Sequence, residues 1–384
     1  MAPLFLNPVS LKVVPNTIVF SQEYLDRTLV SDRSLIERII DAYHKATSSV
    51  LYNTKGSFFN GVWTPKGYEG QQEELVTALE NKDCADLHQQ LNKMFISKSA
   101  HALGMGHQEY NTIVNSPENL KSYGIQWVDR LVSLGYSIGA APVPYPEFDL
   151  DDYNNSLNID VDNFVSLIEK QLGIELFFPN ICGVFGGKLR NNPFPMHAFL
   201  LLGAAYQVSL LAPCSCPTIV EIGGGFGGLA YWVTKLLSIN KYFIYDIPYV
   251  SALQAYFLGR TFDEKKISLY GEYSNSNANI FINPSFDFIK SVPRTDIAIS
   301  QDSLTEISPN IAFDYLSMLQ QQLCGPFLSL NHEVPVGKGP VVTSLPKLIK
   351  KIGGYFLANR SPFFLRSGFV QEVYYPLKYY PRFR

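Results

Sequence analysis

The sequence predicts an α/β protein in two parts: a mostly helical region over residues 1–174, then a domain over 175–384 built on a mainly parallel sheet. Three observations carry this. Before residue 174 apolar residues recur at helical spacings. After Thr218 short apolar runs alternate with helical stretches. The first of those runs ends in Gly223-Gly224-Gly225-Phe226-Gly227-Gly228, a glycine cluster of the kind that carries a strand into a helix.

The elements follow in order. Ser31 or Asp32 is placed to cap a helix carrying Leu35, Ile36, Ile39, Ile40 and Tyr43. Gln71 to Ile96 reads as helical, with Leu75, Leu79, Leu87 and Leu91 on one side, and Ser116-Pro117-Glu118 starts another helix. Ala140 to Asp152 holds three prolines and ends acidic, which marks a linker, and Val161 to Leu172 is helical. From there Thr218–Ile222, Lys241–Tyr245, Ile267–Tyr270, Asp296–Ser300 and Pro326–Leu330 read as buried strands. Gly228–Leu237, Val250–Leu258 and Ile311–Leu323 read as helices between them. Strands joined through helices imply right-handed crossovers and a ligand site at the carboxyl edge of the sheet. Gly354–Tyr380 alternates aromatic and polar residues, which suits one or two closing antiparallel strands.

Composition excludes several classes. Of 384 residues 46% are hydrophobic and 17% charged, so the chain buries too much apolar surface for a disordered protein. A net charge of −3 argues against a nonspecific nucleic-acid binder. The five cysteines include no CxxC pair, and the expectation is reduced, mostly buried thiols in a cytoplasmic protein. The start MAPLFLNPVSLKVVP lacks the basic and apolar regions of a secretion signal. The most apolar stretch, Ala198 to Ala212, is interrupted by Tyr206, Gln207 and Ser209 and is too short to span a membrane; it reads as a buried helix.

Gly223, Gly225 and Gly228 satisfy G-x-G-x-x-G, a weak signal alone. Two acids sharpen it. Asp246 lies 21 residues after Gly225, at the end of the next strand, where a carboxylate accepts hydrogen bonds from a ribose. Glu221 sits two residues before the first glycine. A carboxylate there repels the pyrophosphate of a dinucleotide and favours the ammonium and sulfonium of S-adenosylmethionine.

EIGGGFGG followed by YFIYDIP resembles the first motifs of class I S-adenosylmethionine-dependent methyltransferases. More narrowly it resembles the bacterial sugar O-methyltransferase family, with Asp246-Ile247-Pro248, Gln301-Asp302-Ser303-Leu304-Thr305-Glu306 and Leu330-Asn331 matching in turn over roughly Ile181 to Asn331. The resemblance implies a Rossmann-like core with S-adenosylmethionine as cofactor. It implies that Glu221, Gly223, Gly225 and Gly227, with Phe226 in the same turn, line the methionine end. By the same token Asp246 binds the ribose, Ile247 packs on the adenine edge, and Gly271 and Glu272 lie near the adenine. Ser300, Gln301 and Asp302 fall to the sulfonium region.

Methyl transfer needs alignment, exclusion of water and a base for a hydroxyl acceptor. The candidate catalytic residues are His332, at the end of the fifth strand, with Glu306 and Asp302 at the same edge. The same three side chains are an alternative magnesium set. Lys188 and Arg190, in a glycine-bearing loop, are candidates for an anionic acceptor group, although an ordinary connection explains them as well. His197 reads as a core or capping histidine. Tyr374, Tyr375, Tyr379 and Tyr380 offer either sugar-stacking faces or edge packing. The expected activity is therefore methylation of a saccharide hydroxyl, with no nucleic-acid partner and the oligomeric state, a homodimer included, left open. A methyltransferase for another small molecule, a nicotinamide-dependent oxidoreductase and a non-catalytic S-adenosylmethionine-binding protein are the competing readings.

Overall fold

A computed structural model describes residues 18–19, 28–50, 52, 63–64, 67–68, 70–104, 106–145, 147, 151, 160–190, 192–272, 277–334 and 343–379. The helices of the first half are α1 (Leu29–Thr47), α2 (Glu73–Glu80), α3 (Cys84–Asn92), α4 (His107–Val114), α5 (Pro117–Ser137) and α6 (Val161–Leu172). Those of the second are α7 (Met196–Leu211), α8 (Gly228–Leu236), α9 (Pro248–Thr261), α10 (Pro309–Gln322) and α11 (Leu345–Ile352). The main sheet has eight strands: β1 (Thr218–Ile222), β2 (Lys241–Asp246), β3 (Ile267–Leu269), β4 (Ile280–Pro284), β5 (Ile297–Gln301), β6 (Phe327–His332), β7 (Tyr355–Pro362) and β8 (Phe369–Pro376).

Across the sheet the order is β7-β8-β6-β5-β1-β2-β4-β3. All pairings from β3 to β6 are parallel, and β8 is inserted antiparallel between β6 and β7. The chain moves outward from β1 to β2 in one direction and returns to β5 on the other side. The carboxyl ends of β1 and β5 therefore flank the point where strand order reverses, which is where such sheets open a crevice. The sheet is the mainly parallel α/β architecture the alternation implies, closed by two C-terminal strands.

Three local readings need correction. The run Ile280–Pro284, unassigned from sequence, is a strand that slots between β2 and β3, so Ile267–Leu269 lies at the edge. Its own alternation, with Ile280, Ile282 and Pro284 buried, was the available signal. The helix over Gln71–Ile96 breaks at Asn81–Asp83: Lys82 takes a left-handed φ of 55°, and Asp83 caps the next helix through the amides of Ala85 and Asp86. The first helix begins at Leu29, so Asp32 is not its cap but a buried helical acid.

Asp32 is held by a network that spans the two sequence halves. Tyr256 Oη donates to its Oδ2 at 2.8 Å, His88 Nε2 lies 3.3 Å from the same oxygen, and Arg260 Nη1 donates to Asn92 Oδ1 at 2.6 Å. Around it one hydrophobic cluster runs from Leu35, Leu79 and Phe95 to Phe226, Trp232 and Phe257. The helical region thus packs on one face of the sheet as part of a continuous core. On the other face a smaller cluster gathers Ala298, Leu316 and Leu345. Of the cysteines, only Cys182 is buried; Cys214 and Cys216 are exposed, and all five are free. No helix among the described residues is long and apolar enough to cross a membrane. Residues 1–17, residues 146, 148–150 and 152 of the expected linker, and Tyr380 with the chain end lie outside the described residues.

Candidate functional site

The cavity at the carboxyl edge is floored by the turn between β1 and α8. Gly223, Gly225 and Gly227 have φ of 76°, 52° and 92°, a region side chains resist. Each glycine does a different job. A Cβ on Gly223 would meet Ser303 Cβ at 2.3 Å, and one on Gly224 would meet Ile244 Cγ2 at 2.4 Å, so these two let β5 and β2 close on the turn. A Cβ on Gly225 would meet nothing within 4 Å, and Gly225 lines the open cavity.

Asp246 is tied to this turn rather than hanging free. Its Oδ2 accepts from Gly224 N and Gln254 Nε2, both at 2.8 Å, and its Oδ1 accepts from Ile247 N at 2.8 Å. Burial pushes its pKa up to about 7, although those donors pull the other way. Glu221 is more deeply set, 2% exposed, and its Oε2 accepts from Tyr242 Oη at 3.0 Å. Burial, with a smaller contribution from Asp246, pushes it up to about 8. Both acids line the cavity. An anion here would face two carboxyls, whereas a cation would offset the desolvation penalty of their ionised forms.

The opposite end of the cavity is built from distant segments. Asp302 follows β5 with a left-handed φ of 53°, held by its amide donating to Leu330 O at 2.9 Å. His332 Nδ1 lies 3.1 Å from Asp302 Oδ1, and Arg366 Nη1, from the turn between β7 and β8, donates to Oδ2 at 2.6 Å. Burial raises the Asp302 pKa, but His332 and Arg366 together hold it below the ordinary carboxylate value. The hydrogen bond to Asp302 raises His332. Glu306 accepts from Trp63 Nε1 at 2.7 Å, and burial, then the charge of Asp302, push it up to about 7. Asn331 braces the loop: its Oδ1 accepts from Ser303 N at 3.1 Å, and its Nδ2 donates to Ser300 O at 3.2 Å and Ser329 Oγ at 2.9 Å.

Most residues singled out from sequence meet at this one edge. Glu221, Gly223, Gly225, Phe226, Asp246, Ile247, Gln301 and Asp302 line the cavity. Gly227 turns the chain with its Cβ position against Leu258, and Ser300 is fully buried with its Oγ 2.9 Å from Ser303 Oγ, so neither is on the wall. Gly271 and Glu272 are elsewhere, because the strand they follow is displaced to the edge by β4. Glu272 is bound by Arg38 at 2.7 Å and by the Leu269 amide at 2.8 Å, and burial notwithstanding these bonds hold its pKa low. Ser285, at the end of β4, occupies the cavity wall instead. His332 and Glu306 stand behind the wall, their ligand atoms within 4.8 Å of each other and of Asp302. A divalent cation could span that triangle, but both Asp302 oxygens already hold hydrogen bonds to His332 and Arg366.

Sequence reasoning missed Trp63, the turn at 102–104, Ser285, Tyr315 and Arg366, all on the wall. His197, expected as a core histidine, also lines it. Burial drives its pKa down to about 4, so it is a neutral ring, and a Cβ on Gly104 would strike it at 2.5 Å. Lys188 is an exposed strand residue, and Arg190 pairs with Glu169 and Glu175, both away from the cavity wall. Tyr374 and Tyr375 sit within β8, which is paired on both sides and so is not an edge strand; Tyr374 is buried against Phe327, and neither tyrosine lines the cavity.

No family model matches the sequence, and no curated protein matches it. Solved structures do. The magnesium protoporphyrin IX methyltransferase ChlM from Synechocystis PCC 6803 with bound SAM shares 13% identity at a TM-score of 0.34, over 46% of this chain and 78% of that one. The mitomycin 7-O-methyltransferase MmcR shares 12% at 0.34, over 71% and 100%. CalO1, a methyltransferase in calicheamicin biosynthesis in its SAH-bound form, shares 15% at 0.32, over 68% and 73%.

Proposed function

We propose that this chain is an S-adenosylmethionine-dependent O-methyltransferase whose acceptor is a sugar hydroxyl. One observation supports the cofactor above the rest: Glu221 and Asp246 both face the cavity beside a glycine turn. Asp246 would suit the ribose of a dinucleotide equally, but a pyrophosphate beside this turn would meet the Glu221 carboxyl. An ammonium and a sulfonium instead meet groups that gain by ionising. In this reading Glu221 and the turn receive the methionine end, and Asp246, whose oxygens keep acceptor capacity, takes the ribose hydroxyls. Ile247 and Ser285 flank the base.

The reaction is an in-line displacement. S-adenosylmethionine held by Glu221 and Asp246 would supply the methyl group, its carbon–sulfur bond breaking with the electron pair left on sulfur as the acceptor oxygen bonds to carbon, and the acceptor proton would pass to the Asp302–His332 pair. Asp302 on the wall aligns the hydroxyl, and His332 behind it supplies the basicity that Asp302, held low by His332 and Arg366 together, lacks. The sugar assignment rests on the sequence resemblance, and the position of the dyad at the same edge as the glycine turn is compatible with it.

Thermal denaturation tests the cofactor. S-adenosylhomocysteine should raise the melting temperature and NAD or NADP should not; equal shifts, or a shift from the dinucleotide alone, overturn the reading. Transfer of a labelled methyl group across a panel of sugar nucleotides, oligosaccharides and phenols tests the acceptor. Labelling confined to the phenols removes the sugar.

A further inference from the structure

The chain has three tryptophans, and the core seals two of them: Trp127 is 1% and Trp232 0% exposed. Trp63 is half-buried and lines the cavity. It comes from a ladder of only two residues per strand, Trp63–Thr64 against Gly67–Tyr68, too little structure to fix a large side chain by itself. Its ring packs against the hydrophobic core, and its Nε1–H donates to Glu306 Oε2 at 2.7 Å across 243 positions of sequence. Glu306 Oε1 takes no hydrogen bond from the described residues, and at this point the wall is formed by Trp63 and Ile307 rather than by Glu306 itself.

We propose that Trp63 is the acceptor-contacting wall of this site, that Glu306 is the positioning residue holding its indole, and that the N-terminal region thereby selects the acceptor. The word acceptor rests on the methyltransferase reading above; the clamp does not. An indole face suits the apolar C–H face of a ring, and the cavity end it borders is the one that carries Asp302 and Arg366. The groups that face Glu306 are Asp302 at the end of β5, His332 at the end of β6, Arg366 from the β7–β8 turn, and the indole itself. With Glu306 raised to about 7, the indole bond passes from a neutral to a charge-assisted one as pH rises through that value, so the wall tightens.

The test needs no acceptor. Tryptophan emission of the full chain, followed from about pH 5.5 to 8.5, should show a step near pH 7 that is absent from Trp63→Phe and from Glu306→Gln. No step in the wild type, or the same step in either variant, overturns the clamp. Acrylamide quenching then places the indole. The part of the quenching that Trp63→Phe removes should persist at saturating S-adenosylhomocysteine, and full protection by that nucleoside would assign Trp63 to the cofactor end and overturn the proposal. Failure of S-adenosylhomocysteine to bind sinks the methyl-transfer reading alone, since the pH step is read without it.

Discussion

The two ends of the cavity are built differently. The end carrying the glycine turn comes from one stretch of chain: Gly224 and Asp246 are bonded across 22 positions, and Ile247 and Gln254 complete the set within one helical turn or two. The other end is assembled from afar. Asp302 meets His332 across 30 positions and Arg366 across 64, and Glu306 meets Trp63 across 243. The first end is a local device that any parallel strand–turn–helix unit can carry. The second exists only once the N-terminal region and the C-terminal hairpin have docked, and it is the end that we propose contacts the acceptor.

Five measurements would break or sharpen this contrast, taken from the largest effect down. His332→Gln should lower methyl transfer by about 10²–10⁴-fold, the usual worth of a general base, while leaving S-adenosylhomocysteine affinity in place. A loss of affinity instead would merge the two ends. Asp302→Asn should additionally move the alkaline-rising limb of the pH–rate profile to lower pH, because the bond that raises His332 is weakened.

Gly223→Ala should cost roughly 2–4 kcal/mol in denaturant unfolding, since a left-handed backbone and a 2.3 Å approach to Ser303 Cβ are penalised together. Gly225→Ala carries only the backbone part in stability, about 1 kcal/mol, but places a methyl in the open cavity, so its larger effect should fall on nucleoside affinity. Equal stability losses for the two would show that the turn packs otherwise. Asp246→Ala should weaken S-adenosylhomocysteine by about 1–3 kcal/mol, read by calorimetric titration, because three protein donors and the ribose lose a shared acceptor.

The smallest effect is a proton. Glu221 is raised to about 8, so its contribution to folding is complete below the ordinary carboxylate range and is lost as pH rises through 8. An ammonium beside it favours the ionised form. Binding of S-adenosylhomocysteine at pH 7 should therefore release protons, seen as a dependence of the binding heat on buffer ionisation enthalpy. Affinity should rise by up to about tenfold per pH unit between roughly pH 6 and 7.5. Glu221→Gln should abolish both, and persistence in that variant would assign the proton elsewhere.

The local end was largely legible beforehand. Periodicity alone separates the helical half from the alternating half, and a strand ending in an acid, a glycine turn and a second strand ending in an acid form one contiguous pattern. Reading failed where a segment's place depends on its neighbours. The third strand was found, yet its position was not, because sheet order is set by which edge is free when Ile280–Pro284 docks; that moved Gly271 and Glu272 out to Arg38. Asp32 looked like a cap because its partners, Tyr256 and Arg260, are more than 200 residues away.

The sequence by itself determined the parallel sheet, the left-handed glycine turn and the acids beside it, because backbone sterics and side-chain alternation act between near neighbours. Only the tertiary structure decided that Trp63 and Arg366 join Asp302 on one cavity wall with His332 behind it, and that burial lifts Glu221 and Glu306 toward neutrality. Those outcomes depend on desolvation and hydrogen bonds between groups far apart in the chain, and no spacing along it records them.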